Sequence, residues 1–348
     1  MKTSTKKILV TGGTGYIGSH TVVELQASGY EVVIIDNLSN SKLFIVNQIA
    51  KITGITPTFY QIDLNDIAAV STFVDNHPEI HGIIHFAAYK SVSESVEQPL
   101  KYYSNNLNSL INLLSCFSNR EIAMVFSSSC TVYGQPDQLP VTENSPVKKA
   151  ESPYGNTKQI AEEILQEVTA VNKNIKAIAL RYFNPVGAHS SALIGELPLG
   201  IPQNLVPYIT QCAIGKRPAI TIYGNDYDTA DGTCIRDFIH VVDLAKAHVA
   251  AIKLLENESA KPYDVLNIGT GKGTSVSALI NAFESATGQN LNYKTGPRRP
   301  GDIVKVWADV TKSNNLLNWK AKLGIHEMMQ SAWAWEQYIH THQILTSI

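Results

Sequence analysis

The sequence contains few cysteines and no metal-binding arrangement of them. Its four cysteines, at positions 116, 130, 212 and 234, form no C-x-x-C pair and have no metal-ligand spacing. His81 and His85 lie four apart on a predicted strand, where that spacing does not converge two ligands as a helix would. We therefore expect free thiols in a reducing cytoplasm, and no metal site.

The sequence also lacks a strong charge bias and any long apolar run. Charged residues make up 17% of the 348 residues and the formal net charge is −2, so we expect no nucleic-acid partner. No stretch approaches the ~20 apolar residues of a membrane span. The basic residues 1–7 precede only three apolar residues before glycines begin, which does not fit a signal peptide. The composition indicates a globular protein without membrane association.

The first 185 residues alternate short apolar runs with longer periodic segments. The predicted strands cover residues 7–11, 31–36, 58–61, 82–86, 123–127 and 176–181, and predicted helices include 17–28, 99–116 and 154–171. This rhythm predicts an α/β fold with a doubly wound, Rossmann-type parallel sheet. Beyond residue 185, prolines and glycines cluster at 195–207, 215–218 and 296–301. We expect a first domain at 1–185 and a smaller, loop-rich α/β lobe at 186–348, with some chain returning around 232–246.

Three glycines at three-residue spacing follow the first predicted strand. Gly12 permits a sharp turn, Gly15 allows close approach of the backbone to phosphate oxygens, and Gly18 allows the helix to pack on the sheet. The helix that begins near Tyr16 and Ile17 then directs unpaired N–H groups at an anion. A glycine-rich turn alone is weak, but strand, turn and helix in this order predict a dinucleotide site.

Two aspartates follow later strands of the same half. Asp36 ends the second strand, where a carboxylate binds the adenosine ribose hydroxyls and repels a 2′-phosphate. This favours NAD over NADP, although Asp36 alone also fits a turn residue. Asp63, which precedes Leu64, is placed to pair with the adenine amino group or is an ordinary loop aspartate.

A tyrosine and a lysine lie one helical turn apart on the predicted helix 154–171. Tyr154 and Lys158 point the same way, and Ser129 follows a buried strand, where its hydroxyl can orient a substrate oxygen. A free phenol has a pKa of ~10, and one ammonium at ~4 Å supplies about 4 kcal/mol, enough to lower it to ~7. The alternative is a plain amphipathic helix contact. Following a dinucleotide turn, the pair predicts an acid–base tyrosine acting on an alcohol carbon.

Several motifs carry a resemblance that extends nearly from end to end. They are residues 11–20 (TGGTGYIGSH), 36–41 (DNLSNS), 85–90 (HFAAYK), 127–134 (SSSCTVYG), 152–158 (SPYGNTK), 181–187 (RYFNPVG), 204–208 (NLVPY), 223–227 (YGNDY), 231–243 (DGTCIRDFIHVVD) and 298–302 (RRPGD). On these the chain resembles the extended short-chain dehydrogenase/reductase family and, within it, the UDP-glucose 4-epimerases. The first and fifth motifs are shared across the family, and the later ones are more specific.

The resemblance implies an NAD-binding first domain, a UDP-sugar-binding lobe and a homodimer formed through the helices at 99–116 and 154–171. It implies interconversion of UDP-galactose and UDP-glucose by reversible C4 oxidation with tightly bound NAD and rotation of a 4-keto sugar, with Tyr154, Lys158 and Ser129 as catalytic residues. Beyond these three and the glycine turn, the implied cofactor residues are Tyr16, Ile17, Asp36, Asn37, Leu38, Ser39, Asn40, Ser41, Asp63, Leu64, Phe86, Ala87, Ala88, Tyr89, Lys90, Asn105 and Phe183. The implied substrate residues are Ser129, Tyr154, Asn184, Asn204, Leu205, Tyr223, Arg236, Arg299, Asp302 and Val306.

Val306 departs from the tyrosine that hexose-specific members of the resembled group often have. A smaller residue there implies room beside the sugar 2-position, and hence turnover of UDP-N-acetylgalactosamine or UDP-N-acetylglucosamine. Two other functions stay open. A nucleotide-sugar 4,6-dehydratase usually has an Asp-Glu pair after the central serine, where this chain has Cys130 and Thr131. A non-catalytic NAD sensor would have no need of serine, tyrosine and lysine together.

Overall fold

The computed structural model describes residues 6–299 and 302–344. The strands are β1 Lys7–Thr11, β2 Glu31–Asp36, β3 Thr58–Gln61, β4 Ile80–His85, β5 Ile122–Ser129, β6 Ile175–Tyr182, β7 Asn184–Val186, β8 Ile220–Tyr223, β9 Ile235–His240, β10 Tyr263–Ile268, β11 Gly273–Ser275, β12 Tyr293–Gly296 and β13 Lys305–Val306. The helices are α1 Tyr16–Ala27, α2 Phe44–Thr53, α3 Ile67–Asn76, α4 Val92–Glu97, α5 Pro99–Cys116, α6 Pro153–Val171, α7 Leu205–Ala213, α8 Val241–Leu255, α9 Val276–Thr287, α10 Thr311–Leu317 and α11 Ile325–Thr341. A 3₁₀ turn, Cys130–Tyr133, follows β5.

The main sheet has seven parallel strands in the order β10-β6-β5-β4-β1-β2-β3. The chain first builds outward from β1 through β2 to β3, and then crosses to β4 on the other side of β1. The carboxyl ends of β1 and β4 therefore flank a topological switch point, where open α/β sheets bind ligands. The predicted doubly wound fold class is confirmed.

Strand alternation divides the core between the two faces of this sheet. In β1, Ile8 and Val10 pack with α1, α2 and α8, whereas Leu9 packs on the opposite face with α3, α5 and α6. Both faces are covered, which is why the strands read as continuous apolar runs. Among the residues that the structure describes, no helix is long and apolar enough to cross a membrane.

The second part of the chain contributes a small sheet of β11, β9, β13 and β7, and a separate pair of β8 with β12. A longer part of the chain after residue 185 returns to the main sheet than the expected segment around 232–246. The segment 235–240 is β9 in the small sheet. In contrast, α8 packs on the face of the main sheet that carries Ile8 and Val10, and β10 pairs with β6. The apolar side of α8, including Leu244 and Ile252, explains this return because it needs the sheet face to be buried.

Candidate active site

The turn between β1 and α1 has a conformation that requires glycine. Gly12 has a φ of +70°, and a Cβ there would lie 2.8 Å from the Ala87 backbone nitrogen. A Cβ on Gly18 would lie 2.2 Å from the Gly12 carbonyl oxygen, so the helix can pack this closely only without a side chain. Gly15 is the N-cap of α1 and has no side chain to bond the first N–H groups of the helix. The turn therefore leaves helical donors available to an anion.

Asp36 links this turn to the end of β2. Its buried carboxylate accepts hydrogen bonds from the Thr14 backbone N–H at 3.2 Å, the Leu38 N–H at 2.9 Å and the Ser41 hydroxyl at 3.1 Å. Thr14 and Ser41 also share a hydroxyl–hydroxyl bond of 2.7 Å. These contacts hold the loop containing Asn37, Leu38, Ser39 and Asn40 against the glycine turn.

A chain of polar contacts joins Asn37 to two further predicted cofactor residues, Asp63 and Asn105. Asp63 accepts from the Asn37 amide at 3.1 Å and from both nitrogens of Asn65 at 2.9 Å. Asn65 in turn donates to Asn105 at 3.0 Å. Burial opposes ionisation of Asp63, but the hydrogen bonds from Asn65 and Asn37 leave its pKa lowered overall. The carboxylate is therefore ionised and fixed, while Leu64 beside it is buried in the core.

The loop after β4, which carries Phe86, Ala87, Ala88, Tyr89 and Lys90, passes over the same turn. Asn106 holds this loop: it accepts from the Tyr89 N–H at 2.9 Å and donates to the Tyr89 carbonyl oxygen at 3.0 Å. Asn106 also donates to the Thr157 hydroxyl on α6 at 3.2 Å, which fixes the catalytic helix relative to the loop.

The expected catalytic residues lie where β5 ends and α6 begins. Ser152 caps α6 by accepting from the Gly155 N–H at 3.2 Å, so the helix starts one residue before Tyr154. The Ser129 hydroxyl lies near the Tyr154 phenol and lowers its pKa. Lys158 is buried, and its Nζ donates to the Ser127 carbonyl oxygen at 2.7 Å and lies 4.9 Å from the Phe126 ring centroid.

The electrostatics of this group differ from the sequence prediction that Lys158 lowers the phenol pKa to ~7. Burial raises the pKa of Tyr154 to about 12, even though the nearby Ser129 hydroxyl lowers it. Burial also lowers the pKa of Lys158 to about 8, while the charge of Glu162 raises it. The lysine Nζ is 5.8 Å from the centre of the Tyr154 ring and is turned toward the strand carbonyl. Desolvation therefore outweighs attraction between the pair.

The small sheet brings substrate-side residues against this group. Cys130 directly follows Ser129. Burial raises the pKa of its thiol to about 12, while the charge of Arg236 on β9 acts in the opposite direction. Val306 on β13 pairs in register with Arg236 and is buried with Phe183. Arg236 and Val306 thus reach the end of β5 from the second lobe.

Three other predicted substrate residues form a separate, more exposed cluster. Arg299 lies over the Tyr223 ring at 4.8 Å from its centroid, and its Nε donates to Asp302 at 3.2 Å. Tyr223 is 42% exposed. The motif residues 300 and 301 between the arginine and the aspartate lie outside the described residues. The guanidinium is placed to exchange a carboxylate for a phosphate.

Glu196, which the motifs do not include, connects both sides of the site. It accepts from the Lys90 Nζ at 3.1 Å and from the Asn204 amide at 2.6 Å. Asn204 precedes Leu205, the first residue of α7. From α1, the Tyr16 hydroxyl donates to the Gly187 carbonyl oxygen at 2.6 Å, just past the exposed Asn184 of β7. Lys90 and Asn204, one predicted for the cofactor and one for the substrate, are therefore joined through Glu196.

Sequence reasoning missed four residues that support the site: Asn106, Glu162, Arg181 and Glu196. The only signal for Glu162 was spacing, since it lies four residues after Lys158 on the same helix face. His85 is buried with its Nδ1 bonded to Thr11, and His81 is exposed. Within residues 6–299 and 302–344, no group of three or more His, Cys, Asp or Glu side chains could hold a metal ion.

The profile of the NAD dependent epimerase/dehydratase family matches residues 8–269. The chain belongs to this family. It is 49% identical over 331 residues to the UDP-glucose 4-epimerase of Bacillus subtilis, which covers 94% of this chain and 96% of that protein.

Two solved structures are similar to this chain over almost its whole length. A UDP-glucose 4-epimerase from Stenotrophomonas maltophila, solved with NAD and formylated UDP-arabinopyranose, superposes with a TM-score of 0.94 at 45% identity and covers 97% of this chain and 99% of its own. A UDP-Glc/GlcNAc 4-epimerase from Campylobacter jejuni superposes with a TM-score of 0.82 at 37% identity, covering 96% and 99%. The resemblance inferred from the motifs is confirmed.

Proposed function

We propose that this chain is a UDP-glucose 4-epimerase, which interconverts UDP-galactose and UDP-glucose with NAD as its cofactor. The observation that carries the proposal is the placement of Ser129, where β5 ends, next to Tyr154, where α6 begins, at the carboxyl edge of the sheet that also carries the glycine turn. This arrangement suits acid–base work on an alcohol held next to a dinucleotide. The near-complete coverage by epimerase relatives supports the same activity.

The residues around the turn fit a dinucleotide. Gly12 and Gly18 leave no room for a Cβ and keep the backbone N–H groups of α1 accessible, which suits a pyrophosphate. Asp36 favours the ribose hydroxyls of NAD, and Asp63 with Asn105 would hold the adenine side. NAD, when bound, would take up and return the electrons removed at C4 of the sugar, and its oxidised form carries a positive charge that favours a phenolate.

The protein's own part in the chemistry is to hold and move one proton at the Tyr154 hydroxyl oxygen. At a pKa of about 12, ionising this phenol at pH 7 costs about 7 kcal/mol. This pKa already includes the lowering by Ser129. The Lys158 ammonium reduces the remaining cost if it turns from the Ser127 carbonyl toward the phenol. The same oxygen would take the proton from the sugar 4-hydroxyl in one direction and return it in the other.

Conversion without net cofactor consumption tests the proposal. Protein purified without added dinucleotide should convert UDP-galactose to UDP-glucose, with no accumulation of reduced cofactor and no loss of water from the sugar. Tyr154→Phe should lower kcat by about a thousandfold or more, because it removes the proton-carrying oxygen, and should retain the bound dinucleotide.

Tyr293→Phe is the matched control, because Tyr293 is 55% exposed on β12 and takes no part in the site. Release of water from the sugar would instead identify a dehydratase. Lack of any product from dinucleotide-loaded protein would favour a sensor.

We also propose turnover of the N-acetylated UDP-hexosamines. Val306 is only 2% exposed and packs with Phe183 and Val132, so it forms part of the wall between the cofactor and substrate residues. A valine in that wall occupies less space than a tyrosine would, which supports accommodation of an N-acetyl group.

Val306→Tyr should lower kcat/KM for UDP-N-acetylgalactosamine by about a hundredfold and change kcat/KM for UDP-galactose less than about threefold, because crowding of one substituent costs ~1–3 kcal/mol. Product analysis with all four UDP-sugars measures this. An equal loss on plain and N-acetylated sugars would contradict the steric explanation.

The location and assembly are proposals of the same kind. All four cysteines are free, which supports the reducing cytoplasm. A homodimer through α5 and α6 is supported by Leu100 and Ile111, which α5 exposes by 81% and 42%. Sedimentation equilibrium should give twice the chain mass, and Leu100→Asp should shift it toward the monomer.

A further inference from the structure

Near the expected catalytic residues, buried Glu162 pairs with Arg181 and lies one helical turn after buried Lys158 on α6. Lys158, Arg181 and Glu162 are 4%, 6% and 7% exposed. Arginine stays protonated under all ordinary conditions, whereas a buried lysine can lose its proton. The charge state of Lys158 therefore depends on how this group of three is balanced.

The carboxylate of Glu162 is held rigidly by two neighbours. The Arg181 Nε donates to Oε1 at 2.9 Å, and its Nη2 donates to Oε2 at 2.5 Å. The Ser128 hydroxyl donates to Oε1 at 2.5 Å. Ser128 and Arg181 are register partners on β5 and β6, so both contacts come from the sheet that supports α6.

Three residues on one face of α6 lie against the end of strand β5. Tyr154, Lys158 and Glu162 are spaced by four residues along α6. They lie against three successive residues of β5: Ser129 is near Tyr154 and lowers its pKa, the Ser127 carbonyl accepts from Lys158, and the Ser128 hydroxyl donates to Glu162. A change at Glu162 is therefore transmitted by one turn of helix and one residue of strand.

We propose that Glu162 is a positioning residue for the proposed epimerase reaction: its carboxylate, fixed by Arg181 and Ser128, keeps Lys158 protonated beneath Tyr154. The proposal rests on the proposed function for its effect on catalysis. Its effect on the lysine itself does not depend on that function.

Charge balance gives the direction of the effect. With glutamine at position 162, two buried cations remain without an anion, and this is relieved when Lys158 loses its proton. Burial lowers the Lys158 pKa to about 8, and Glu162 is the charge that raises it. The other titratable groups here are the thiol of Cys130, the hydroxyls of Tyr133, Tyr154, Tyr182 and Tyr263, and the imidazole of His85. Burial and the nearby lysine lower the pKa of His85 to about 3. None of these is an anion at neutral pH.

The first measurement is independent of turnover. In protein labelled with ¹³C at lysine Cε, the Lys158 signal is assigned by its loss in Lys158→Arg and titrated between pH 6 and 10. Glu162→Gln should move the Lys158 midpoint down by at least one pH unit. Glu163→Gln, the same change on the exposed side of the same helix, should leave it within a few tenths of a unit. An unmoved midpoint in Glu162→Gln overturns the proposal.

The second measurement is the pH profile of kcat with UDP-galactose. Glu162→Gln should turn over at least tenfold more slowly than the parent at pH 8, and the deficit should shrink toward pH 6, where the lysine regains its proton. A deficit of constant size across this range indicates a purely structural role and overturns the proposal. Absence of turnover in the parent protein would refute the proposed function, while the lysine titration would still decide the role of Glu162.

A double variant covers the case in which Glu162→Gln does not fold. Glu162→Gln with Arg181→Gln removes one anion and one cation. Burial alone then disfavours the protonated form of Lys158. Its midpoint should lie above that of the single variant where that variant folds, and below that of the parent in every case. A midpoint equal to the parent's would overturn the proposal.

Discussion

The proposed nucleotide side and the proposed sugar side of this site are built in opposite ways. The nucleotide side consists of a glycine turn and a buried carboxylate, Asp36, whose partners are fixed within the fold. The sugar side depends on long side chains such as Arg299, whose side chain is 54% exposed and paired with Asp302. One side is complete before a ligand arrives, whereas the other must exchange an internal ion pair for the ligand. We therefore expect dinucleotide to be retained while sugar nucleotides exchange.

The largest effect should come from disturbing the turn. Gly18→Ala places a Cβ 2.2 Å from the Gly12 carbonyl oxygen, and the clash is with backbone that cannot move aside. We expect a destabilisation of about 3 kcal/mol or more and loss of bound dinucleotide, measured by urea unfolding and by absorbance after release.

Gly155→Ala is the control for unfolding, because its Cβ would meet no atom closer than 3.5 Å. Equal losses in both variants would show that the tight packing of α1 on the turn is not what matters.

Apart from the effects of substitutions, acid should lower the stability progressively, and this effect concentrates on the proposed nucleotide side. Burial lowers the pKa of His20 and His85 to about 3 and that of His248 to about 4. These folded-state values lie below the ~6.5 of the unfolded chain, so the unfolded state binds more protons and stability falls as pH drops below ~6.5. Three such groups together should lower the free energy of unfolding by about 4 kcal/mol for each pH unit below this value.

Urea unfolding at pH 7, 6 and 5 measures this dependence. His248→Leu should reduce the slope by about one proton, while His326→Leu, at an exposed position, should not change it. An unchanged slope in His248→Leu would show that this histidine does not couple folding to pH.

The smallest effect should come from the sugar side. Arg299→Met should raise KM for UDP-galactose about tenfold, or ~1.4 kcal/mol, with bound dinucleotide unchanged, because an exposed guanidinium contributes only a partly screened phosphate contact.

Arg298→Met is the matched neighbour: Arg298 pairs with Asp226 and stacks on Tyr227, 4.2 Å from its ring centroid. Steady-state kinetics at low and high salt should separate the two variants. The same rise in KM for both would remove the specific role of Arg299 in binding the diphosphate.

The contrast between the two sides also explains what could be predicted from the sequence. The main sheet was predictable because its buried strands are continuous apolar runs, and α5 has the predicted bounds because Pro99 occupies its first turn. The short strands β7, β11 and β13, of two or three residues, were not predicted because their pairing depends on distant segments. The division at residue 185 missed β10 for the same reason.

Within the site, residue types were predictable and their electrostatic balance was not. Tyr154 and Lys158 follow from helical spacing, but the sign of the phenol shift depends on how deeply the pair is buried. The role of Glu162 depends on Arg181, which a different strand supplies. Single-sequence periodicity carries no information on either point.

Strand β10 comes from the second half of the chain but pairs with β6 of the first half. Cutting the chain once therefore cannot separate the two halves. A fragment ending near residue 185 would leave all eight residues of β6 as an open edge and uncover the sheet face on which α8 lies. Such an edge presents unpaired N–H and C=O groups that recruit other chains. Expression of the first half alone should therefore give aggregates, and any attempt to graft this sugar lobe onto another nucleotide-binding sheet must carry β10 along with it.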